Sequence, residues 1–316
     1  MLLEPWPGGQ STLAKSSVFP YTRRMSLRHA DRHALCWRGR EPTFAPRIRA
    51  DGILRRLMSA PAKPTLITVD VGNNPARCRM LVYHKGLEQL IDVKSPADFG
   101  GLASPEYRAL NPQGKIPVLI LPTGEAIFEA KVVCGYLNDK YAEVGPSVGA
   151  ATPEERARAA LLTQVHDLYI ASPNSSDPMV TANQGAMYKS VEQIDAPSRA
   201  AKLAELEKQM DVLEALIQAP YAAGASLTEA DFALYPTLAC FLPYLLPTVF
   251  GCRADPLDAS RRPKLAAWLA TVGALPAAQR VRGEVMKGLE GWTASSRFAP
   301  IKEQVAANPQ LKWVYP

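Results

Sequence analysis

Few side chains in this sequence sit where their type and spacing suggest chemistry. In "NPQGKIPVL" (111–119) a proline enters an apolar strand. Proline cannot donate to a ladder, so it belongs at a strand's first residues or on an edge. Ile116-Pro117 is read either as a plain trans turn or as a cis bond that would turn the backbone and offer the Ile116 amide and carbonyl to a ligand. "GNNP" (72–75) is turn chemistry, with Asn74 expected as N-cap and Pro75 as first residue of a helix. Cys78 would lie about one turn into that helix on its apolar face, where a thiol is expected to act as a small hydrophobe, not as a nucleophile. Thr228 and Asp231 form a Thr-x-x-Asp capping box with Leu227 and Phe232 as its hydrophobic staple, so Asp231 is expected to be buried and hydrogen-bonded, with a structural role. No Gly-rich phosphate loop, HExxH or Ser/His/Asp pattern is present.

The elements that must position these residues follow from periodicity and punctuation. "TLITVDV" (65–71) reads as a buried strand ending at the turn. After the helix come a strand near 88–93, a Pro/Gly-rich loop to Tyr107, a strand over 116–121, a turn, a strand over 126–128 and a helix over 129–141. This order is a small α/β domain, 63–143. A Gly/Pro/Ala linker (144–153) leads to helices expected over 153–171, 197–217, 228–246 and 263–272, an all-α domain over 153–290. Residues 291–316 are expected to pack as a tail across the surface.

The chain has 316 residues, 47% hydrophobic and 21% charged, ordinary globular usage with room for two cores. No uninterrupted apolar run has membrane length, the most apolar stretch being the proline-broken 232–250, so no membrane partner is expected. The net charge of +6 would suit nucleic acid, but residues 1–62 hold 11 of the 36 basic side chains and only 4 of the 30 acidic ones. That segment carries +7 and the remainder −1, so nucleic acid is not expected to bind the body. Residues 1–62 read as a basic, disordered extension, either an organelle transit peptide or sequence upstream of a true start at Met58. The first would direct the protein to plastid or mitochondrion, the second leaves it cytoplasmic. Five scattered cysteines without a CxxC pair argue against a disulfide framework or zinc site and for a reducing compartment.

Three segments carry a family resemblance. "NPQGKIPVL" closely resembles the NPxGKVPVL segment of cytosolic glutathione transferases, "FEAKVVCGYL" (128–137) their FESxxIxxYL helix start, and "LTEADFALYPTL" (227–238) the ADxxLxPxL helix start of their second domain. All three fall in the family's order and spacing across about 63–290. The resemblance implies a thioredoxin-like domain that binds glutathione, an all-helical domain that receives an electrophilic small molecule, a homodimer, and no metal. It also implies that Ile116 and a cis-Pro117 pair with the cysteinyl backbone of glutathione and that Lys115 reaches its glycyl carboxylate. Glu129 would take the ammonium, and the helix start at Ala130 would take the γ-glutamyl carboxylate. The sequence departs from the family at Ala130, usually Ser, and at Asn73, which stands where theta-like members place the catalytic Ser of a Ser-x-Pro turn, with Pro75 and Arg77 in matching places. An amide N–H₂ can donate to a thiolate, so Asn73 is the candidate catalytic residue. His166, Tyr169 and Tyr188 are candidates for the co-substrate pocket. The implied activity is conjugation of the glutathione thiolate to an electrophile. The alternatives are a glutathione-dependent reductase, dehalogenase or etherase, and a non-catalytic binding or assembly module.

Overall fold

The computed structural model describes residues 63–171 and 181–313, so the expectations for 1–62, including Cys36 and a start at Met58, lie outside the described residues. The first unit is a four-stranded sheet in the order β2-β1-β3-β4, built from β1 (Thr65–Ile67), β2 (Asp92–Lys94), β3 (Val118–Ile120) and β4 (Ala126–Phe128). β1 runs parallel to β2 and antiparallel to β3, and β3 pairs antiparallel with β4. Alternation along the strands sends side chains to two faces. Leu66 and Leu119 join the main core with α1 (Asn73–Lys85) and α3 (Ala130–Lys140). Ile67, Val118 and Ile120 pack instead with Tyr107 and Leu110 of α2 (Pro105–Leu110).

Several boundaries move from their expected places for identifiable reasons. β1 stops at Ile67, before Val69 and Val71, and β2 sits at 92–94, not 88–93. Gly72, not Asn74, caps α1: Ala76 N–H donates to Gly72 O at 3.0 Å, so Asn73 is already the first helical residue and Pro75 lies within the first turn. The stretch expected to be irregular up to Tyr107 contains a short 3₁₀ turn, Pro96–Phe99, and α2. Each opens on a Ser-Pro pair in which Ser95 or Ser104 accepts from a backbone N–H of the first turn.

The second unit is helical. α4 (Pro153–Val165) continues into a wide π-turn, His166–Ala171, and α5 is Ala196–Leu216. Next comes one continuous helix, Glu229–Phe250: α6 (Glu229–Pro236), a π-turn over Thr237–Phe241, and α7 (Leu242–Phe250). Pro236, Pro243 and Pro247 each remove an N–H donor from this helix, and the wide turn lies among them. By length and composition the helix could cross a membrane, yet most of it is buried inside the protein, the arrangement of a core helix. Asp231 is as expected: fully buried, it accepts from Ala222 N–H (2.7 Å), Thr228 N–H (2.8 Å), the Thr228 hydroxyl (3.1 Å) and Trp268 Nε1–H (2.8 Å).

α8 is Pro263–Gly273. The region after Gly288 is largely helical. α9 (Pro276–Ala294) runs through it against α1, followed by α10 (Ala299–Ala307), and Phe298, Ile301 and Trp313 are buried.

Candidate functional site

A cleft of about 490 Å³ opens between the two units. Its thioredoxin-like side is formed by Gly72, Asn73 and Pro75 at the start of α1 and by Arg108, Lys115 and Ile116. The helical side is formed by Gly185, Tyr188, Lys189, Phe241 and Trp292. The Ile116–Pro117 bond is cis. The loop leading to it is fixed from behind: Tyr107 Oη–H (2.8 Å) and Asn111 Nδ2–H (2.7 Å) both donate to Lys115 O, and Gly114 turns the chain at φ 63°. With that carbonyl saturated, the peptide unit of Ile116 is presented at the cleft wall.

The expected site residues divide into three groups. Asn73, Lys115, Ile116 and Tyr188 line the cleft together. Pro117 and Ala130 are buried and are not among its lining residues, and Glu129 stands exposed before α3 with φ 70° and ψ 116°, a backbone conformation rarely held by a residue with a Cβ. The remaining two, His166 and Tyr169, do not belong to the pocket wall. His166 is fully buried in the core and Tyr169 is exposed, so neither meets the cleft as expected.

Cys78 is buried with its sulfur 3.5 Å from Cys134 Sγ, and burial pushes its thiol pKa up, as befits a hydrophobe in a core. Burial likewise pushes the Tyr188 phenol up to about 12, with Arg297 pulling the other way, so Tyr188 is a neutral hydroxyl at ordinary pH. Burial, then the charges of Arg297 and Lys115, lowers the Lys189 ammonium. Among the described residues, the cleft is lined by three cations and no carboxylate.

Asn73 is placed less simply than its sequence position suggests. Its Nδ2 is directed away from the cleft, to Gln184 Oε1 (3.0 Å) and Thr237 Oγ1 (3.4 Å). Behind these, Thr237 Oγ1 meets His166 Nε2 at 2.8 Å, and His166 Nδ1 meets Asp167 Oδ1 at 2.9 Å. Asp167 in turn receives both guanidinium N–H₂ groups of Arg77 at 3.0–3.2 Å. Burial alone would raise the Asp167 carboxyl, but the His166 hydrogen bond and the charge of Arg77 hold it at about 2. A polar chain thus runs from α1 through both π-turns and back to α1. Sequence reasoning missed Gln184, Thr237 and Asp167 in this chain, and Trp292 in the wall. Thr237 alone carried a signal, lying within the third resembling segment.

A sheet of this topology with its cis-proline loop, joined to a helical domain across a ligand-sized cleft, defines the glutathione transferase fold. The family match is direct. Residues 73–140 match "Glutathione S-transferase, N-terminal domain" and residues 196–271 match "Glutathione S-transferase, C-terminal domain". Glutathione S-transferase 3 of Zea mays is 32% identical over 229 residues, covering 70% of this chain and 93% of that protein. The chain belongs to the glutathione S-transferase family. Maleylacetoacetate isomerase of Pseudomonas aeruginosa is 35% identical over 102 residues, covering 30% of this chain, which spans only 47% of that relative's length. The crystal structure of the beta-etherase LigF from a Sphingobium species superposes with a TM-score of 0.55 over 70% of this chain and 99% of that one. At 20% identity, this is a likeness of fold.

Proposed function

We propose that the protein binds glutathione in this cleft, holds its sulfur as a thiolate, and transfers it to an electrophilic carbon of a small molecule. The observation that carries the reading is the meeting, at one cleft, of the α1 N-terminus with Asn73, the Ile116 peptide before the cis proline, and an aromatic wall of Tyr188, Phe241 and Trp292. A free thiol ionises near pH 8.5, so holding it as a thiolate at neutral pH requires donors and positive potential around the sulfur. Arg108, Lys115 and Lys189 in the cleft wall and the dipole of α1 supply that potential.

Ile116 pairs with the cysteinyl backbone, Lys115 faces the glycyl carboxylate, Glu129 takes the ammonium, and the Ala130 N–H takes the γ-glutamyl carboxylate. In the reaction the S–H proton leaves to solvent and the sulfur lone pair forms the new S–C bond. The displaced electron pair leaves with the leaving group or moves onto a conjugated carbonyl. The chain's residues contribute positioning and electrostatics. One relative is called an isomerase and one structural neighbour a beta-etherase, which widens the electrophiles worth testing. A homodimer and a cytoplasmic location complete the proposal, to be checked by sedimentation and by N-terminal sequencing of the native protein.

The engagement of Asn73 Nδ2 with Gln184 and the lack of a hydroxyl at Ala130 favour a second reading, a glutathione-binding module without turnover. The full-length protein should conjugate a chromogenic aryl halide and be retained on glutathione resin. Retention without turnover on aryl halides, enones and aryl ethers would establish the module instead, and loss of both would remove glutathione from the account.

A further inference from the structure

The polar chain behind Asn73 does not satisfy its own donors. Gln184 Nε2 is fully buried with no partner among the described residues, and an unmet buried N–H₂ group is destabilising. Following the protons along the chain shows where it should be. Asp167 accepts from Arg77, and facing His166 Nδ1 at 2.9 Å it requires a proton there as well. A neutral imidazole keeps the buried Arg77–Asp167 pair charge-balanced and leaves Nε2 as an acceptor. The Thr237 hydroxyl, 2.8 Å away, must then donate to Nε2. A hydroxyl has one hydrogen, so toward Gln184, 3.1 Å away, the Thr237 oxygen can only accept. The Gln184 atom in that position must be its N–H₂ group. The same atom lies 3.0 Å from the Asn73 amide, which must therefore present its oxygen there.

Turning both amides about their terminal bonds changes neither volume nor packing, since oxygen and nitrogen are nearly the same size. Gln184 Nε2 then donates to Thr237 Oγ1 and Asn73 Oδ1, and the buried atom left unmet is the Gln184 carbonyl oxygen, an acceptor, no longer an N–H₂ group. The Asn73 N–H₂ group swings to the side of the amide left for the cleft that this residue lines. A sulfur there meets a donor where it would otherwise meet a carbonyl oxygen.

We propose that His166, Thr237 and Gln184 are positioning residues that orient the Asn73 amide with its N–H₂ group toward the cleft, where it stabilises a glutathione thiolate. This rests on the role given to Asn73 above, and the test separates the two. The absorbance of bound thiolate is titrated against pH on the full-length protein saturated with glutathione. Binding of S-methylglutathione, which has no sulfur proton, reports the site's integrity. Thr237→Val and Gln184→Met should each raise the thiolate midpoint by about one pH unit and lower kcat/KM about tenfold. Affinity for S-methylglutathione should stay within about twofold, equivalent to about 0.4 kcal/mol. Thr237→Ser, which keeps the hydroxyl, should restore the wild-type midpoint. If Thr237→Val fails to fold, Gln184→Met carries the test alone. Unmoved midpoints in these variants, with a shift in Asn73→Ala, overturn the positioning chain and leave Asn73 in place. An unmoved midpoint in Asn73→Ala removes both. Loss of S-methylglutathione affinity in parallel with the shift marks a packing role and overturns the proposal.

Discussion

Glu129 is the residue at which backbone strain and the proposed chemistry coincide. Its φ of 70° comes without any side-chain cap on α3, and the side chain points to solvent, so nothing local rewards a β-carbon there. Such a conformation costs on the order of 1–3 kcal/mol and persists where a site requires it. Glycine would release the strain while giving back about 0.5–1 kcal/mol of chain entropy. Glu129→Gly should therefore stabilise the fold by about 1 kcal/mol, visible as a rise of roughly 2–4 °C in Tm. It should also weaken glutathione binding about tenfold or more, because a charge-assisted hydrogen bond to the ammonium is lost. Calorimetric titration of Glu129→Gly and Glu129→Gln reads the second effect; an unchanged affinity takes Glu129 out of the site, and a lowered Tm means the backbone is not strained.

At the scale of elements, α9 decides how the β1–α1 turn is held. A β-carbon on Gly288 would come within 2.6 Å of Val71 Cβ, just before the turn that carries Asn73, whereas at Gly283 on the same helix it would meet nothing within 4 Å. Alanine gains about 1 kcal/mol over glycine inside a helix, but overpacking costs typically 1–3 kcal/mol. Gly283→Ala should stabilise by up to about 1 kcal/mol. Gly288→Ala should destabilise by up to about 2 kcal/mol and raise the KM for glutathione by displacing the turn. Equal Tm values for the two variants would mean that α9 does not press on the turn.

What was legible in the sequence follows the same division. β4, the capping box at Thr228 and Asp231, and the helix starts at Pro153 and Pro263 were readable because their signals lie within a turn of the residues they organise. The cis bond came through the family resemblance, since the residues alone left a trans turn open. α9 was not read, because its glycines at 283, 288 and 291 mask its periodicity. The partners of Asn73 lie 111 and 164 residues away, and no local pattern records such contacts. The Ser-Pro starts at 95 and 104 were legible and were passed over inside a Gly/Pro-rich loop.

For the whole molecule, the cleft depends on how firmly α1 is fastened to the helical domain, and three of its polar side chains do this. Arg77 pairs with Asp167, while Arg79 (2.8 Å) and Tyr83 (2.8 Å) both reach Glu284 on α9. Surface pairs contribute little, but the guanidinium groups of Arg77 and Arg79 are almost wholly buried, so losing a partner strands a charge. Asp167 makes the first of these fastenings acid-sensitive. Its carboxyl is held at about 2 in the fold against an ordinary value of 3.8, so its contribution is complete above pH 4 and is lost as pH falls from about 4 to about 2. The linked stability is roughly 2 kcal/mol. Asp167→Asn should cost about 3–5 kcal/mol at pH 7, because Arg77 is left buried and unpaired. The gap between wild type and variant should narrow by roughly 2 kcal/mol as urea unfolding is repeated from pH 5 down to pH 2. If the two stability curves instead run parallel through that window, the acid sensitivity lies elsewhere and Asp167 is a neutral spacer beneath His166. If they converge, the fastening that orients α1 and the polar chain that reaches Asn73 share one carboxylate, and acid should loosen the domain junction and disorganise the cleft together.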